Sequence, residues 1–426
     1  MMAQLGELVE PSVRDKVQSL KILVQKFGGT SVATRERRLA AVAQVEDALN
    51  KGYAVVVVVS AMGRKGDPYA TDTLLSLIEA DDPVDRRELD ILMSCGEAIS
   101  SVVFASTLRA RGHDVLVLNG AQAGIETDHQ FGNARILRIR PQRILDGLRA
   151  GQVVVVTGFQ GVTADGDVTT LGRGGSDTTA TALGVALEAE FVDIFTDVEG
   201  VMTADPRVVA EARRLQRVTY AEACNFAYSG AKVIHPRAVE IAMQKNIPIR
   251  VRHTESTDEG TLITNHAQVL ESHAVTDRFV TGVAHTVGIT QLVLDRPSVG
   301  AYEVFRAMAD REISVDIISV SPDRIAYTVS DADAGRAVET LAGLGVQPMV
   351  VPNCAKVAVV GAGIAGVPGI MARIVGALTE QGVEILQTAD SHTTIWCLVR
   401  REQMQVAVRA LHHTFGLDQT DDEQGE

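Results

Sequence analysis

The residues best suited to chemistry lie in one glycine-rich stretch, TTLGRGGSDTT, which runs from residue 169 to residue 179. Its glycines let backbone N–H groups approach an anionic ligand closely, and a helix that starts just after it adds the positive end of its dipole. Arg173 supplies a planar fork that suits a carboxylate or a phosphate. A flexible linker is the alternative, although linkers rarely carry Arg and Asp among their glycines. The stretch therefore predicts an anion-binding loop. No Lys follows its glycines, so it is not the nucleotide loop GxxxxGK[ST].

A second glycine turn follows a short apolar segment near the start of the chain. KILVQK (residues 21–26) is typical of a strand, FGGTS follows it, and a helix is predicted over residues 35–51. Gly28 and Gly29 permit the backbone to approach a phosphate, and Lys26 stands at the strand end where that phosphate would lie. A plain tight turn would have the same two glycines. The pattern indicates a second anion-binding turn or that simple turn.

A carboxyl with two possible roles lies on a long helix that is predicted over residues 86–109. This helix contains SCGE, and its Glu97 has largely apolar neighbours in sequence. Such a residue is either on a solvated face or is a carboxylate that awaits an ammonium group. Ahead of this helix, Ser60 leaves a strand and a polar loop leads to Thr71 and Asp72, which look like helix N-caps.

The elements that must position these residues alternate between strand and helix. AVVVVV (residues 54–59) and VVVV (residues 153–156) are unbroken β-branched runs of the kind buried on both faces of a parallel sheet. A helix over residues 178–188 and the strand FVDIFT (residues 191–196) continue the alternation. The order predicts an α/β domain with a mostly parallel sheet, whose ligands sit at the carboxyl ends of the strands.

The chain changes character after about residue 265. A β-α-β-β-α-β order, with helices over residues 301–311 and 334–344, is followed by a second stretch that repeats most of it, with helices over residues 369–381 and 402–415. Two copies of about 70 residues indicate an internal repeat of small α+β units.

Composition limits the classes of function. The 426 residues carry a formal charge of −14, and basic patches are absent, so we expect neither nucleic acid nor an anionic membrane as a partner. No run of eighteen or more apolar residues occurs. The four cysteines form no CxxC pair, which predicts no zinc site, no disulfide framework and a cytoplasmic protein. Residues 1–20 lack the apolar core of a signal peptide and are expected to be an extension.

Seven motifs in this order and spacing resemble those of the aspartokinases: KFGGTS, VVVSAMG, SCGE, GFQG, LGRGGSDTT, TDVEGVMTADPR and SGAK. The loop SAMGRKGDPYATD and the segment DSHTTIW are similar to the diaminopimelate-sensitive enzymes of endospore-forming bacteria. The resemblance covers residues 21 to about 420. It implies an amino-acid-kinase fold at residues 21–265, two ferredoxin-like ACT domains at 280–352 and 355–418, and an acidic tail at 419–426. In this family one ACT unit is completed by a segment distant in sequence.

The resemblance also implies a role for each matching residue. It places Lys26 and Lys232 at the nucleotide phosphates and Asp177 where it organises these lysines or helps to hold a metal; no dedicated protein metal site is implied. L-Aspartate would contact Glu97 through its ammonium group and Arg173 through its α-carboxylate, with Ser60, Thr71, Phe159 and Ser176 beside it. ATP, carried with Mg²⁺, would lie against Lys26, Phe27, Gly28, Gly29, Phe195, Thr196, Val201, Met202, Thr203, Ala204, Asp205, Pro206 and Lys232.

The implied activity is ATP-dependent phosphorylation of the β-carboxylate of L-aspartate, the first step toward diaminopimelate, lysine, threonine and methionine. The ACT pair implies feedback by an end-product amino acid, with meso-diaminopimelate as the expected effector, and at least a homodimer. Its effector residues would be Asp295, Val299, Gly300, Ala301, Asp316, Ile317 and Ser319, where a simple helix-entry turn and a solvated strand end are the alternative. Two other functions stay open: a kinase of the same fold for another carboxylate, and a non-catalytic amino-acid sensor.

Overall fold

The computed structural model describes residues 20–79, 82–231, 233–265, 279–364 and 366–419. Two compact units divide the chain. The first contains the described residues up to 200 together with 233–265, and the second contains those of 201–231 and of 279–419. Numbered along the chain, the strands are β1 (Ile22–Phe27), β2 (Ala54–Val59), β3 (Val115–Leu118), β4 (Ile125–Thr127), β5 (Ile136–Ile139), β6 (Val153–Thr157), β7 (Gln160–Val162), β8 (Val168–Thr170), β9 (Phe191–Thr196), β10 (Arg217–Thr219), β11 (Ile249–His253), β12 (Thr261–Thr264), β13 (Gly282–Asp295), β14 (Asp316–Ser321), β15 (Arg324–Ser330), β16 (Met349–Val360), β17 (Ile385–Asp390) and β18 (Thr394–Arg400).

The first unit is built on a mostly parallel sheet, as the alternation of strands and helices predicts. Its strands lie in the order β12-β11-β9-β1-β2-β6-β3, and within this run only β11 and β12 pair antiparallel. Val55 to Val59 of β2 are fully buried, which confirms a strand covered on both faces. A smaller sheet, β5-β4-β7-β8, lies in the same unit.

Helices cover the parallel sheet. The described helices of this unit are Gly29–Val32, Arg35–Asn50, Thr71–Leu75, Arg86–Ala110, Gln142–Arg149, Gly175–Ala186 and Pro236–Met243. Two sequence predictions are corrected. The helix Gly175–Ala186 begins three residues before the predicted position 178, because Gly174 caps it in a left-handed conformation. The helix Thr71–Leu75 has Ala70 as its N-cap, so Thr71 is its first helical residue and neither Thr71 nor Asp72 is the cap.

The helix Arg86–Ala110 is, within the described residues, the one helix whose length and composition would let it cross a membrane. It is also a core helix of this unit. Phe104, Ala105 and Leu108 are fully buried in the cluster formed with β1, β2 and β6, and Asp90 and Glu97 are buried as well. Core helices commonly meet the same length and composition, so this helix is weak evidence for a membrane span.

The second unit carries one antiparallel sheet in the order β14-β15-β13-β16-β18-β17. Its helices are Tyr220–Tyr228, Ala301–Asp310, Asp331–Gly343, Ile370–Glu380 and Met404–Thr414, with a 3₁₀ turn at Arg401–Gln403. The two predicted α+β repeats are confirmed as two halves of this sheet, each with its own buried cluster. The long strands β13 and β16 run through both halves.

One segment of β13 belongs to the second half of the sheet. The first part of β13, from Gly282 to Val287, pairs with Ala355 to Val360 of β16, whereas its second part pairs with β15 and with the start of β16. A segment that precedes the first repeat therefore completes the second one. Residues 201–231, which the resemblance places in the kinase region, also pack here: Ala204, Val208 and Val209 share the buried cluster of Val283 and Leu411.

Candidate active site

A cavity of about 470 Å³ lies at the carboxyl ends of the parallel strands in the first unit. Side chains and turns that follow β1, β2 and β6 line it, as expected for a sheet of this type. It brings together nine residues predicted from the sequence: Lys26, Gly29, Ser60, Thr71, Glu97, Phe159, Arg173, Ser176 and Asp177. Residues 172–177 of the glycine-rich stretch therefore line the same cavity as Lys26 and Gly29 of the first glycine turn.

A lysine–aspartate ion pair marks one end of the cavity. Lys26 Nζ lies 2.7 Å from Asp177 Oδ1, and both side chains are nearly buried, at 12% and 13% exposure. Lys26 comes from β1, and Asp177 from the first turn of the helix Gly175–Ala186. The backbone N–H of His235 donates to the other carboxylate oxygen at 3.4 Å. Asp177 therefore holds the Lys26 ammonium in a fixed place. The other predicted lysine, Lys232, lies outside the described residues.

The glycine turn after β1 leaves room for the backbone alone. A Cβ at Gly29 would lie 2.6 Å from the carbonyl oxygens of Ala61 and Gly63, which no side chain can accommodate without movement of the backbone. A Cβ at Gly28 would lie 3.5 Å from Lys26 Nζ. The Gly28 N–H donates to the Phe195 carbonyl at 3.3 Å, whereas Gly29 and Lys26 line the cavity, so the Gly29 N–H and the Lys26 ammonium can face the same anion.

Glu97 is a buried carboxyl with one oxygen unused. Its side chain is 3% exposed, and Oε1 accepts a hydrogen bond from the backbone N–H of Ala61 at 3.1 Å. Within the described residues Oε2 has no partner, although it is buried and Glu97 lines the cavity. Burial raises the pKa of Glu97 to about 8. Of the two alternatives for this residue, the solvated helix face is excluded.

Arg173 stands at the mouth of the cavity on the loop before the helix Gly175–Ala186. It is exposed, and within the described residues its guanidinium has no ion-pair partner. The loop is tightly packed beneath it: Gly174 has φ 67°, and a Cβ there would lie 2.2 Å from the side chain of His235. A cationic fork on a constrained loop is therefore available to a ligand in the cavity.

Phe159 forms another wall in an unusual conformation. Its φ is 68°, which costs a non-glycine residue about 1 kcal/mol or more. Thr179 Oγ1 accepts from the Phe159 N–H at 3.0 Å, and a Cβ at Gly175 would lie 2.5 Å from the Phe159 ring. The glycine loop and the turn after β6 fit each other closely and fix the Phe159 backbone.

The residues predicted to bind the nucleotide divide between the two units. Phe27 and Phe195 are fully buried and stack on each other with ring centroids 4.8 Å apart, so they can meet a ligand only through their main chain. Thr196 ends β9. Val201, Met202, Thr203, Ala204, Asp205 and Pro206 belong to the second unit. There Thr203 is buried, and its hydroxyl is 2.9 Å from His412 Nε2.

The residues predicted for an effector all lie in the second unit. Asp295 ends β13 and pairs with Arg324, and Gly300 precedes the helix Ala301–Asp310. Asp316 begins β14 and forms an ion pair with the buried Lys356. A bulge follows Asp316, with Ile317 at φ 44°. The other three are partly buried or exposed: Val299, Ala301 and Ser319.

Several residues at the cavity could not be identified from their motifs. Met93 lines it without a sequence signal of its own, and Asp72, predicted only as a helix cap, lines it as well. Gly132 lines it from a loop that is 40 residues before Gly172 in the chain. Met93 could have been found from helical spacing, because it precedes Glu97 by four residues and so shares its helix face. The described residues contain no group of three or more His, Cys, Asp or Glu side chains placed to hold a metal ion.

Comparison with known proteins agrees with this geometry. The amino acid kinase family matches residues 21–253, and an ACT domain matches residues 349–413. Aspartokinase 1 of Bacillus subtilis is 55% identical over 93% of this chain and all of its own length. The aspartokinase of Geobacillus stearothermophilus is 39% identical over 93% of this chain and 97% of its own.

A solved structure extends the likeness to three dimensions. E. coli aspartokinase III, in complex with aspartate and ADP, superposes with a TM-score of 0.76 at 27% identity and covers 92% of this chain and 99% of its own. Another structure of that enzyme, with lysine and aspartate, gives a TM-score of 0.73 at 27% identity, covering 93% of this chain and 99% of its own. This chain belongs to the aspartokinase family: it is a phosphotransferase with an amino-acid kinase domain and an ACT regulatory domain.

Proposed function

We propose that the cavity binds L-aspartate by its charged ends and transfers the γ-phosphoryl group of ATP to the β-carboxylate, which gives 4-phospho-L-aspartate. The observation that carries this proposal is the presence in one cavity of the Lys26–Asp177 ion pair, the buried Glu97 and Arg173, the last two with an oxygen and a guanidinium that have no partner among the described residues. These groups match the phosphate, the ammonium and the α-carboxylate of the reactants.

The proposed chemistry needs position and charge more than it needs a base. A β-carboxylate is already ionised at neutral pH, so it attacks without losing a proton. The charge on the transferring group must then be cancelled, and the Lys26 ammonium and the Gly29 N–H supply positive charge at one corner. Asp177 keeps the Lys26 ammonium in place through its 2.7 Å contact.

Mg²⁺ would come with the nucleotide in this proposal. Mg²⁺ usually takes oxygen ligands from phosphates and from only one or two carboxylates. This agrees with the described residues, which contain no cluster of three side chains placed to hold a metal ion. When bound, it would neutralise negative charge on the phosphates. Asp177 is the nearest carboxylate to the phosphate corner, and in this structure it is paired with Lys26.

Glu97 gives the proposal a test that does not depend on loss of activity. With its pKa raised to about 8 by burial, Glu97 is mostly neutral at pH 6 to 7, and an ammonium ligand needs its carboxylate. We therefore expect the KM for aspartate to fall as pH rises from 6 to 8, by up to about tenfold per unit, and then to level off. Initial-rate kinetics at saturating ATP would measure this.

The variant Glu97→Gln supplies the control. Its aspartate KM should be higher and nearly independent of pH between 6 and 8. Because the folded protein holds the Glu97 proton more tightly than the unfolded chain does, the contribution of this group to stability decreases as pH rises from 4.5 to 8. Ligand-free Glu97→Gln should then unfold at a higher temperature than the wild type at pH 8. A wild-type KM that does not change with pH would argue against ammonium binding at Glu97.

We further propose that the second unit binds an end-product amino acid, that its two ACT halves pair in a homo-oligomer, and that the enzyme is cytoplasmic. The support is the resemblance of SAMGRKGDPYATD and DSHTTIW to diaminopimelate-sensitive enzymes. The seven effector residues from Asp295 to Ser319 are proposed to form the site.

An inhibition panel tests the choice of effector. With lysine, threonine and meso-diaminopimelate added singly, we expect meso-diaminopimelate alone to inhibit strongly. The variant Asp316→Ala should lose this inhibition and keep its basal rate, because it is far in sequence from the kinase motifs. Inhibition by lysine without an effect of meso-diaminopimelate would contradict the assignment of the effector and would leave the kinase assignment intact.

A further inference from the structure

Asp90 is a fully buried carboxylate that no catalytic motif contains. It lies on the helix Arg86–Ala110, two turns before Glu97, and has no exposed surface. Its Oδ2 accepts from the backbone N–H of Gly132 at 3.0 Å and from that of Thr170 at 2.8 Å, and its Oδ1 accepts from the Thr170 hydroxyl at 2.7 Å. All three partners lie outside its own helix.

These partners stand on two segments that form one wall of the cavity. Gly132 lines the cavity itself, and Thr170 ends β8 directly before Leu171, Gly172 and Arg173. The two segments also contact each other, since the Ala134 N–H donates to the Thr170 carbonyl at 2.9 Å. Asp90 therefore joins the loop around Gly132 to the root of the loop that carries Arg173.

Arg237 ties the same two segments at their other end. Its Nη1 donates to the Leu171 carbonyl and its Nη2 donates to the Ala134 carbonyl, each at 2.8 Å. Asp90, on the helix Arg86–Ala110, and Arg237, on the helix Pro236–Met243, therefore each form hydrogen bonds to the main chain of both segments. After Leu171, only Gly172, Arg173 and Gly174 remain before the helix that begins at Gly175.

We propose that Asp90, together with Arg237, is a positioning residue for Arg173 and so for the α-carboxylate of aspartate. This inference rests on the proposed function, in which Arg173 binds that carboxylate. Gly172 has φ 74° and no side chain that would restrict its backbone, so contacts from other segments must fix the conformation of the loop. Hydrogen bonds to a buried carboxylate are strong and meet no competition from water. Without them the loop would shift, and a shift of about 1 Å can lower a rate by about 100-fold.

The first test separates positioning from general stability. Asp90→Ala should raise the KM for aspartate by about 10-fold or more and leave the KM for ATP within about twofold. Asp90→Asn should recover most of this loss, because its oxygen can still accept from the two N–H groups while its NH₂ meets the Thr170 hydroxyl oxygen. Asp90→Asn also serves if the alanine variant does not fold.

Thr169→Val is the matched structural control. Thr169 is fully buried beside Thr170, and its hydroxyl lies 2.6 Å from that of Thr127, away from the residues that line the cavity. Its variant should unfold at a lower temperature and keep both KM values within about twofold. An equal rise in aspartate KM for Thr169→Val and Asp90→Ala would overturn the proposal, because destabilisation alone would then explain it.

A double-mutant cycle with Arg173→Ala decides whether Asp90 acts through Arg173. In the Arg173→Ala background we expect Asp90→Ala to lower kcat/KM for aspartate by less than about threefold. The same fold loss in both backgrounds would overturn the inference while the function stands. If Arg173→Ala itself left the aspartate KM unchanged, the proposed function would fail first, so the two failures are distinguishable.

Discussion

Replacement of Lys26 by alanine should lower kcat by about 10³-fold or more and change the KM for aspartate little. Lys26 Nζ is the one ammonium group in the described part of the cavity that is nearly buried and held by a carboxylate. In the proposed mechanism its charge would stabilise the transferring phosphoryl group more than the bound reactants, so its loss should lower kcat. Initial-rate kinetics with both substrates varied would measure the effect.

Two controls accompany the Lys26 prediction. Lys21→Ala removes an ammonium at the entry to the same strand, where the side chain is 68% exposed and pairs weakly with Glu190 at 4.0 Å. It should keep the wild-type rate. Asp177→Asn should lower kcat as well, because it removes the carboxylate that holds the Lys26 ammonium in place. Thermal unfolding of all these variants should stay cooperative, which would show that they fold. Turnover of Lys26→Ala within tenfold of the wild type would refute the role given to this lysine.

Replacement of Arg173 by alanine should raise the KM for aspartate by about 100-fold, and the KM for ATP should stay within about twofold. A bidentate contact between a guanidinium and a carboxylate is among the stronger hydrogen-bonded pairs, and its loss costs about 2–3 kcal/mol, which corresponds to that factor. Stability should change little, since Arg173 is exposed and has no ion-pair partner within the described residues.

Conservative and remote variants sharpen the Arg173 prediction. Arg173→Lys should recover only part of the affinity, because an ammonium cannot reproduce the planar fork. Arg138→Ala removes an equally exposed arginine that pairs with Glu126 on the surface, and both KM values should be unchanged. Equal effects of Arg173→Ala and Arg138→Ala would point to loss of overall charge rather than loss of a specific contact.

Much of this architecture follows from local sequence. The β-branched runs of β2 and β6 and the glycines that follow β1 and β2 predict a buried parallel sheet with turns at its carboxyl edge, and the structure confirms it. Because those carboxyl ends meet at one edge, Lys26 near the end of β1, Ser60 after β2 and Phe159 after β6 could be expected together. Glu97 lies within a helix and Arg173 follows β8 of the smaller sheet, so this rule does not place them. The helix Arg86–Ala110 was predicted within one residue.

The remainder depends on long-range packing that sequence patterns do not carry. Asp90 has no motif, since its role comes from two segments about 40 and 80 residues further along the chain. The helix at Gly175 starts early because the left-handed Gly174 fits against His235, which is 61 residues away. The first part of β13 completes the second ACT half through its pairing with β16, and no local sequence pattern specifies that pairing.

The most direct measurement of the central claim compares aspartate with its α-carboxamide, isoasparagine, on the wild type and on Arg173→Ala. Both compounds keep the β-carboxylate and the ammonium, and only aspartate has the charge that Arg173 is proposed to bind. We expect kcat/KM of the wild type to be about 100-fold lower for isoasparagine, and Arg173→Ala to treat the two compounds alike. If Arg173→Ala lost the same factor on both compounds, or if the wild type did not distinguish them, the cavity would not hold aspartate in the way proposed.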